Sequence, residues 1–503
     1  MRHTFYVIAP LVLLAIAVIG YFYPEWYYSY IVLVPLTLIG FSNRVQKSHA
    51  ILRNFPLLGY FRYFFEMISP EIQQYFIEKS TDGKPYSRNH RALVYRRAKS
   101  VNDTHPFGTQ MDLDSEKYEA IRHSIYAIPP FEDFPRVMIG GSLCKQCYSA
   151  SVLNISAMSY GSLSKNAILA LNKGAKKGNF YHNTGEGSVS DYHLEGGGDL
   201  VWQIGTGYFG CRTEEGDFDP DKFKEKAAHE QIKMIEIKVS QGAKPGHGGV
   251  LPASKNNEEI ARIRGVKPHT TIISPPGHKN INGPEDLLKF IQQMRELSNG
   301  KPVGFKLCVG RTEEFIALVE KMVETGLRPD FITVDGAQGG TGAAPLEFSD
   351  SVGLPLEPAL IFVHKTLQKY KLRDEIKVIA SGKVLTAFSI LRMRALGADI
   401  CNSARAFMFS VGCIQALRCN SNDCPTGVAT TNKMLYKGLV VSDKAERVYN
   451  FHKNTIHAVL ELLGACGITH TDEITIDMFV KGDEMVALSN KYFPDSVLNR
   501  VDD

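Results

Sequence analysis

The sequence predicts an α/β chain: a (β/α)8 TIM-type barrel behind an N-terminal transmembrane helical hairpin and a helical and irregular collar. Three observations carry this. Two uncharged apolar runs fill the first forty residues; from Ser151 onward short apolar runs alternate with amphipathic stretches; and each short run ends in Gly, Ser, Asp, Asn or Pro. Strands that are apolar throughout, with helices between them, imply a parallel sheet covered on its faces. Close to eight such units over roughly 280 residues favour a closed barrel over a doubly wound sheet.

At 503 residues, 44% hydrophobic, the chain is long enough for a large core, and a net charge of +4 carries no signature of nucleic-acid binding. Nine cysteines in this length do not make a disulfide scaffold. Three of them are bunched, as thiolates serving a cluster would be, which favours a reducing compartment.

Residues 1–44 are read as two transmembrane helices. Thr4 to Phe22 has bilayer-spanning length, and Trp26 to Phe41 is a shorter, more aromatic second run. Arg2 precedes the pair, Arg44 and Lys47 follow it, and the loop between holds no base. Both ends therefore face the cytoplasm, placing the chain in the cytoplasmic (inner) membrane with its main domain inside. A signal sequence is disfavoured by the lack of a small-residue cleavage site; one span plus an interfacial segment is the other alternative.

Residues 45–150 are read as the collar. Ile51 to Ile77 mixes aromatic and charged residues at helical spacing, suited either to the membrane surface or to packing on the main domain. Lys84 to Lys99 is basic, a solvated face or a contact for anionic headgroups. Residues 100–150 look irregular and hold C-K-Q-C at Cys144 and Cys147, a structural pair with redox or metal work as the alternative. The barrel is assigned to 151–430 and a helical packing segment to 431–503. Nine candidate strands are found (VLNISAM, NFYHNT, LVWQIG, MIEIKVS, TTIISP, VGFKLCV, FITVDG, KVIASG, DICNSA), so one is an insertion or a misreading.

Chemistry concentrates at the predicted C-terminal strand ends. Ser381-Gly382 and Ser403-Ala404-Arg405 occupy the last two βα turns, where a barrel holds a flavin-type phosphate, although ordinary turn residues read the same way. Lys306 ends the strand GFKLCV; its partner is either the N1–C2=O edge of a reduced flavin or a carboxylate on a neighbouring strand. Gly336 to Ala344 is a glycine-rich loop. Cys413, Cys419 and Cys424, at C-x5-C-x4-C, suit an iron–sulfur cluster, with zinc or no metal as alternatives; Cys401 reads as core. Lys238, Gln241, Lys244 and His247, with Arg264, are suited to a substrate bearing two carboxylates. Among Glu186, Asp191 and His193, Glu186 between glycines is the one expected in the cavity.

ISAMSYGSLS, NTGEGS, IKVSQGAKPGHGGVLP, ISPP, VDGAQGGTGAAP and CIQALRCNSNDCPTGVAT together resemble the FMN-binding synthase domain of glutamate synthases, over about residues 150–430 and in matching order. The resemblance implies FMN at the strand C-termini and a three-cysteine [3Fe–4S] cluster beside it. It implies reductive amination of 2-oxoglutarate by hydride from reduced FMN to an imine. By position, Met158, Ser159, Gln203, Lys306, Gly340, Thr341, Gly382, Ser403 and Arg405 would line the FMN site. Lys238, Glu186 and Gln241 would be catalytic, with Lys244, Arg264 and His247 binding substrate, and Cys413, Cys419 and Cys424 would hold the cluster. Two departures bear on substrate: His247 stands where the family has Glu, and Val250 where it has Gln.

Met1 is followed by Arg2 and the apolar hairpin, not by the catalytic Cys of an amidotransferase, so ammonia is expected free or from a partner. Electrons are expected from ferredoxin or a separate reductase subunit, because no second G-x-G-x-x-G after a strand suggests an NAD(P)H domain in this chain. The alternatives are the same cofactors acting on a different amine, oxoacid or membrane-derived substrate, and a non-catalytic membrane-tethered electron-transfer or scaffold subunit.

Overall fold

The computed structural model describes residues 2–116 and 118–480, with Glu484 and Ala487 beyond. The chain divides into two compact units, Met1–Pro85 and Tyr86–Asp503. The division falls inside the segment assigned to the collar: α4 (Arg88–Lys99) packs on the long C-terminal helix and so belongs to the barrel unit.

In the first unit, α1 (Arg2–Phe22) and α2 (Tyr30–Val45) are joined by one 3-10 turn, Pro24–Ser29. The second helix therefore starts four residues after the predicted run, because Pro24 opens a tight turn that takes in Trp26. The helices run antiparallel, with Phe41 5.1 Å from the Tyr6 ring and Tyr30 donating to the Leu13 carbonyl at 2.8 Å. Among the described residues Thr4–Phe22 alone is long and apolar enough to cross a membrane; α2 has 16 residues. Further on, α3 (Gly59–Ile72) leaves Phe61, Phe64, Phe65 and Met67 exposed.

In the second unit the predicted barrel is present. Eight parallel strands close in chain order: β1 (Leu153–Ile155), β2 (His182–Asn183), β3 (Leu200–Ile204), β4 (Ile232–Lys238), β5 (Val303–Leu307), β6 (Phe331–Asp335), β7 (Lys377–Ser381) and β8 (Ile400–Ser403). Their largely apolar character follows from burial on both faces. The ninth candidate, TTIISP, is the insertion: Ile272–Ile273 pairs antiparallel with Val250–Leu251 outside the barrel. Ile273 is 71% exposed, which a barrel strand cannot be.

Residues 100–150 are less irregular than expected. The strands Arg136–Ile139 and Tyr148–Ser151 form an antiparallel hairpin. Its Ile139, Tyr148 and Ala150 pack with Val201, Met234, Phe331, Ile379 and Ile400, closing the N-terminal end of the barrel with an apolar plug. Gly304 makes room for it, since a Cβ there would stand 2.6 Å from the Phe331 ring. Above the plug lies a polar layer. Glu236, buried at 1% exposure, accepts from Asn183 at 2.8 Å, Gln203 at 2.7 Å and Thr333 at 2.7 Å. Both carboxylate oxygens thereby have donors, as burial of a carboxylate demands.

Outside the barrel, α5 (Lys165–Gly178) packs against α6 (Val441–Cys466), the main element of the predicted helical segment. On α6, His452 stacks on Phe180 at 3.9 Å, its Nε2 lying 2.9 Å from Ser151 Oγ and 3.1 Å from the Leu153 carbonyl.

Candidate active site

The C-terminal ends of the strands open into a cleft of ≈ 1330 Å³, counted out to its mouth. Its floor is charged. Glu186, in the loop after β2, meets Lys238 at the end of β4 at 2.9 Å. Burial alone would raise the Glu186 carboxyl, but Lys238, with Arg264 and Lys244 behind it, holds it below the usual range. Lys244 donates to the Ala343 carbonyl at 2.9 Å, and burial brings its ammonium down to about 8.

Lys306 pairs with Asp335 at 3.2 Å, so the neighbouring-strand carboxylate is its partner in this structure. Asp335 also accepts from Gly242 N at 2.8 Å and Ser381 Oγ at 2.7 Å, tying β6 to the loop after β4 and to β7. Burial opposes the Lys306 charge, and Asp335 and Glu236 outweigh it, raising the pKa. Gln203 gives its amide N–H to Glu236, which turns its carbonyl oxygen toward other donors.

At the other end the cleft is lined by Gly382, Lys383, Ser403, Ala404 and Arg405. The Arg405 guanidinium lies against Gly340, where a Cβ would come within 2.7 Å of it. All nine residues predicted to line the cofactor site (Met158, Ser159, Gln203, Lys306, Gly340, Thr341, Gly382, Ser403, Arg405) do line this cleft, as do Glu186, Lys238, Gln241, Lys244 and Val250.

Two residues predicted to bind substrate do not line it. Arg264 is buried behind the wall, donating to the Tyr160 carbonyl at 3.0 Å with its guanidinium over Phe209, and reaches the cleft only through its field on Glu186. His247 turns to the Gly248 carbonyl at 2.8 Å and sets its ring edge on Phe348. Asp191 is exposed and pairs with Arg262, and His193 is buried against Ser190.

Cys413, Cys419 and Cys424 line one small pocket adjoining the cleft, sharing Arg405, Met408, Cys419 and Ala429 with it. Gln415, Leu417 and Asn422 all have positive φ (61°, 57° and 67°), folding this loop tightly. Burial pushes the Cys413 thiol up to about 11. Burial acts the same way on Cys424, but the Thr426 hydroxyl and the N–H groups of Ala429, Thr426 and Val428 bring it below its ordinary value. Among the described residues no three His, Cys, Asp or Glu are gathered around a single-ion site. Cys401, in β8, is core as expected.

A family described as a conserved region in glutamate synthase matches residues 98–469. The chain belongs to the glutamate synthase family. It is 40% identical to the glutamate synthase large subunit-like protein YerD of Bacillus subtilis, over 87% of this chain and 91% of that one. It is 35% identical to the archaeal glutamate synthase [NADPH] of Methanocaldococcus jannaschii, over 64% of this chain and 60% of the relative. Against the ferredoxin-dependent glutamate synthase 2 of Synechocystis it is 34% identical, over 54% of this chain and 17% of that much longer one.

Three residues of this glutamate synthase-family site went unnoticed in the sequence. Lys255, buried and lining the cleft, donates to the carbonyls of Cys419 at 2.7 Å, Ala429 at 3.0 Å and Ser162 at 3.4 Å, fastening the cysteine loop to the barrel. Asp335 sits in FITVDG, where it reads as strand punctuation. Tyr86, before the matched region, exchanges backbone hydrogen bonds with the Gln415 side chain (3.2 and 3.3 Å) and lies under the Lys383 ammonium at 5.7 Å. Lys255 stands among Ser254, Asn256 and Asn257, a polar stretch that gives no sign of its burial.

Proposed function

We propose that this chain is a membrane-anchored, FMN-dependent oxidoreductase of the glutamate synthase type that reductively aminates 2-oxoglutarate or a related oxoacid. The observation that carries this reading is one cleft with Arg405 and Lys383 at one end, and Lys306, Lys238 and Lys244 across its floor, in a member of this family.

The residues fit FMN. Gly382, Ser403 and Arg405 would hold its phosphate. Gln203, its N–H committed to Glu236, offers a carbonyl oxygen to a ring N–H, and Lys306 offers positive charge where a reduced flavin is negative. Bound there, FMN supplies hydride to a C=N carbon. Lys238, Gln241 and Lys244 orient the oxoacid through its carboxylates, and Glu186, ionised beside Lys238, keeps those ammonium groups in register. Cys413, Cys419 and Cys424 would hold a [3Fe–4S] cluster. These cysteines line one pocket beside the cleft and offer the soft thiolate ligands such a cluster takes. Such a cluster supplies one-electron transfer.

The relatives' names point to NADPH or ferredoxin as external electron source, and ammonia arrives free or from a partner. Anchoring is supported by α1, by its antiparallel pairing with α2, and by the exposed aromatic side chains of α3. The domain reading that goes with this is a membrane hairpin with an interfacial helix, then the barrel. Membranes washed with alkaline carbonate should retain the full chain, and release into the wash would refute anchoring.

One observation favours a second reading of the substrate. Val250 lines the cleft where the family's pattern has Gln, so a less polar oxoacid or amine product would be better matched. The deciding experiment is anaerobic. Photoreduced protein is offered 2-oxoglutarate with ammonium, then a panel of apolar oxoacids, and flavin reoxidation is followed. Reoxidation by none of them would refute the proposed reaction.

A further inference from the structure

We propose that Cys144 and Cys147 form a reversible thiol–disulfide site at the base of the barrel that exchanges with a small anionic disulfide. The site lies in the turn of the plug hairpin, at the end of the barrel opposite the cleft, and is independent of the flavin chemistry above. Both thiols are free. A Cβ on Gly140 would stand 2.7 Å from Cys147 Sγ and 2.9 Å from Cys144 Sγ, so the two sulfurs converge over the backbone of one residue. Gly140 has φ +132°, open only to glycine at little cost, and any side chain would collide with both sulfurs.

The turn is built to hold them there. The Gly300 carbonyl accepts from Lys145 N at 2.8 Å, Gln146 N at 3.0 Å and the Cys144 thiol at 3.4 Å, and Gly141 N donates to Asp330 at 3.0 Å. Exposure divides the roles. Cys147 is exposed and Cys144 half-buried, where burial and Asp330 push its thiol up to about 12. Cys147 is therefore the attacking sulfur and Cys144 the resolving one. Cys147 opens on a groove where Arg136, Lys224, Lys233 and Lys301 outnumber Asp199 and Glu230, a field that draws in anions.

The chemistry balances. The Cys147 thiolate attacks one sulfur of RS–SR and expels RS⁻. Cys144 then attacks the Cys147 sulfur and expels the second RS⁻, closing the Cys144–Cys147 bond. Two electrons pass from the cysteine pair to the external disulfide, and the two cysteine protons leave with the two thiols formed.

The test uses the full-length holoprotein with oxidised glutathione as the anionic probe and cystamine as the cationic one, read by alkylation and mass mapping of the peptide spanning 144 and 147. Glutathione disulfide should protect both thiols and dithiothreitol should restore them. Cys144→Ser should trap glutathione on Cys147, Cys147→Ser should trap none, and cystamine should react ~10-fold more slowly. Full alkylation of both thiols in excess glutathione disulfide, with no adduct on Cys144→Ser, would overturn the site. Equal rates for the two probes would overturn its preference for anions.

Discussion

Glu186 and Lys238 meet at 2.9 Å over the floor of the cleft, although they come from the ends of β2 and β4 with all of β3 between them. The Glu186 carboxylate opposes the loss of charge that burial brings to Lys244, and its own ionisation is favoured by Lys238, Arg264 and Lys244.

Replacing Glu186 by Gln removes that countercharge while keeping shape. Glu186 is partly exposed, so losing this hydrogen-bonded partner costs roughly 1–3 kcal/mol, and kcat/KM for the oxoacid should fall ~10–100-fold with flavin content unchanged. Steady-state kinetics on flavin-matched samples check this.

Lys244 carries its proton below about pH 8 and loses it above. KM for a dicarboxylate oxoacid should therefore rise as pH passes through about 8. Lys244→Arg, always charged, should flatten that rise even if it lowers kcat. The measurement is KM against pH for both proteins.

Asp335→Asn leaves Lys306 buried without its carboxylate. Breaking a buried pair by removing one partner costs ~3–5 kcal/mol, so the urea midpoint should drop and bound flavin fall with it. An unchanged midpoint would show that the pair contributes nothing to the barrel.

Among the described residues four histidines are buried in the neutral form: burial holds His182 far below 6.5, His193 and His452 at about 3 and His278 at about 4. In the unfolded chain each titrates near 6.5, so as pH falls the unfolded state takes up protons first. Their contribution is fully present above about pH 6.5 and is lost toward pH 4, each at up to ~1.4 kcal/mol per pH unit. Urea midpoints at pH 7.5, 6 and 5 should fall in that order.

Cys424→Ser should lower iron per chain by at least half while leaving FMN bound, because the residues proposed to hold the flavin phosphate lie on β7, β8 and their loops. Iron assay and flavin absorbance on one sample separate the two. Loss of both would mean that the loop supports the cleft as a whole.

Much of this was legible from residue order. Lys306 could be seen to need a partner, but the choice between a cofactor and Asp335 rests on parallel pairing of β5 with β6, which sequence spacing does not encode. TTIISP has the composition of a barrel strand, and only its pairing with Val250–Leu251 separates it from the eight that close. Arg264 follows the motif that holds Lys238 and Lys244, yet Gly161 and Gly187 let its guanidinium settle behind the wall against Tyr160. Lys255 and Tyr86 belong to no motif and reach the site through folding alone.

By itself the sequence determined the apolar hairpin, the alternation that makes a barrel, the strand ends where chemistry collects, and the cysteine spacing. All of these are local, set by periodicity, charge and turn residues within a short stretch of chain. Tertiary structure decided which charges face each other, which strand stays outside, and which residues line the cleft or stand behind it. Those depend on closure of the barrel, which brings Glu186, Lys238, Asp335 and Arg405 together from some 220 residues of chain through contacts no local pattern specifies.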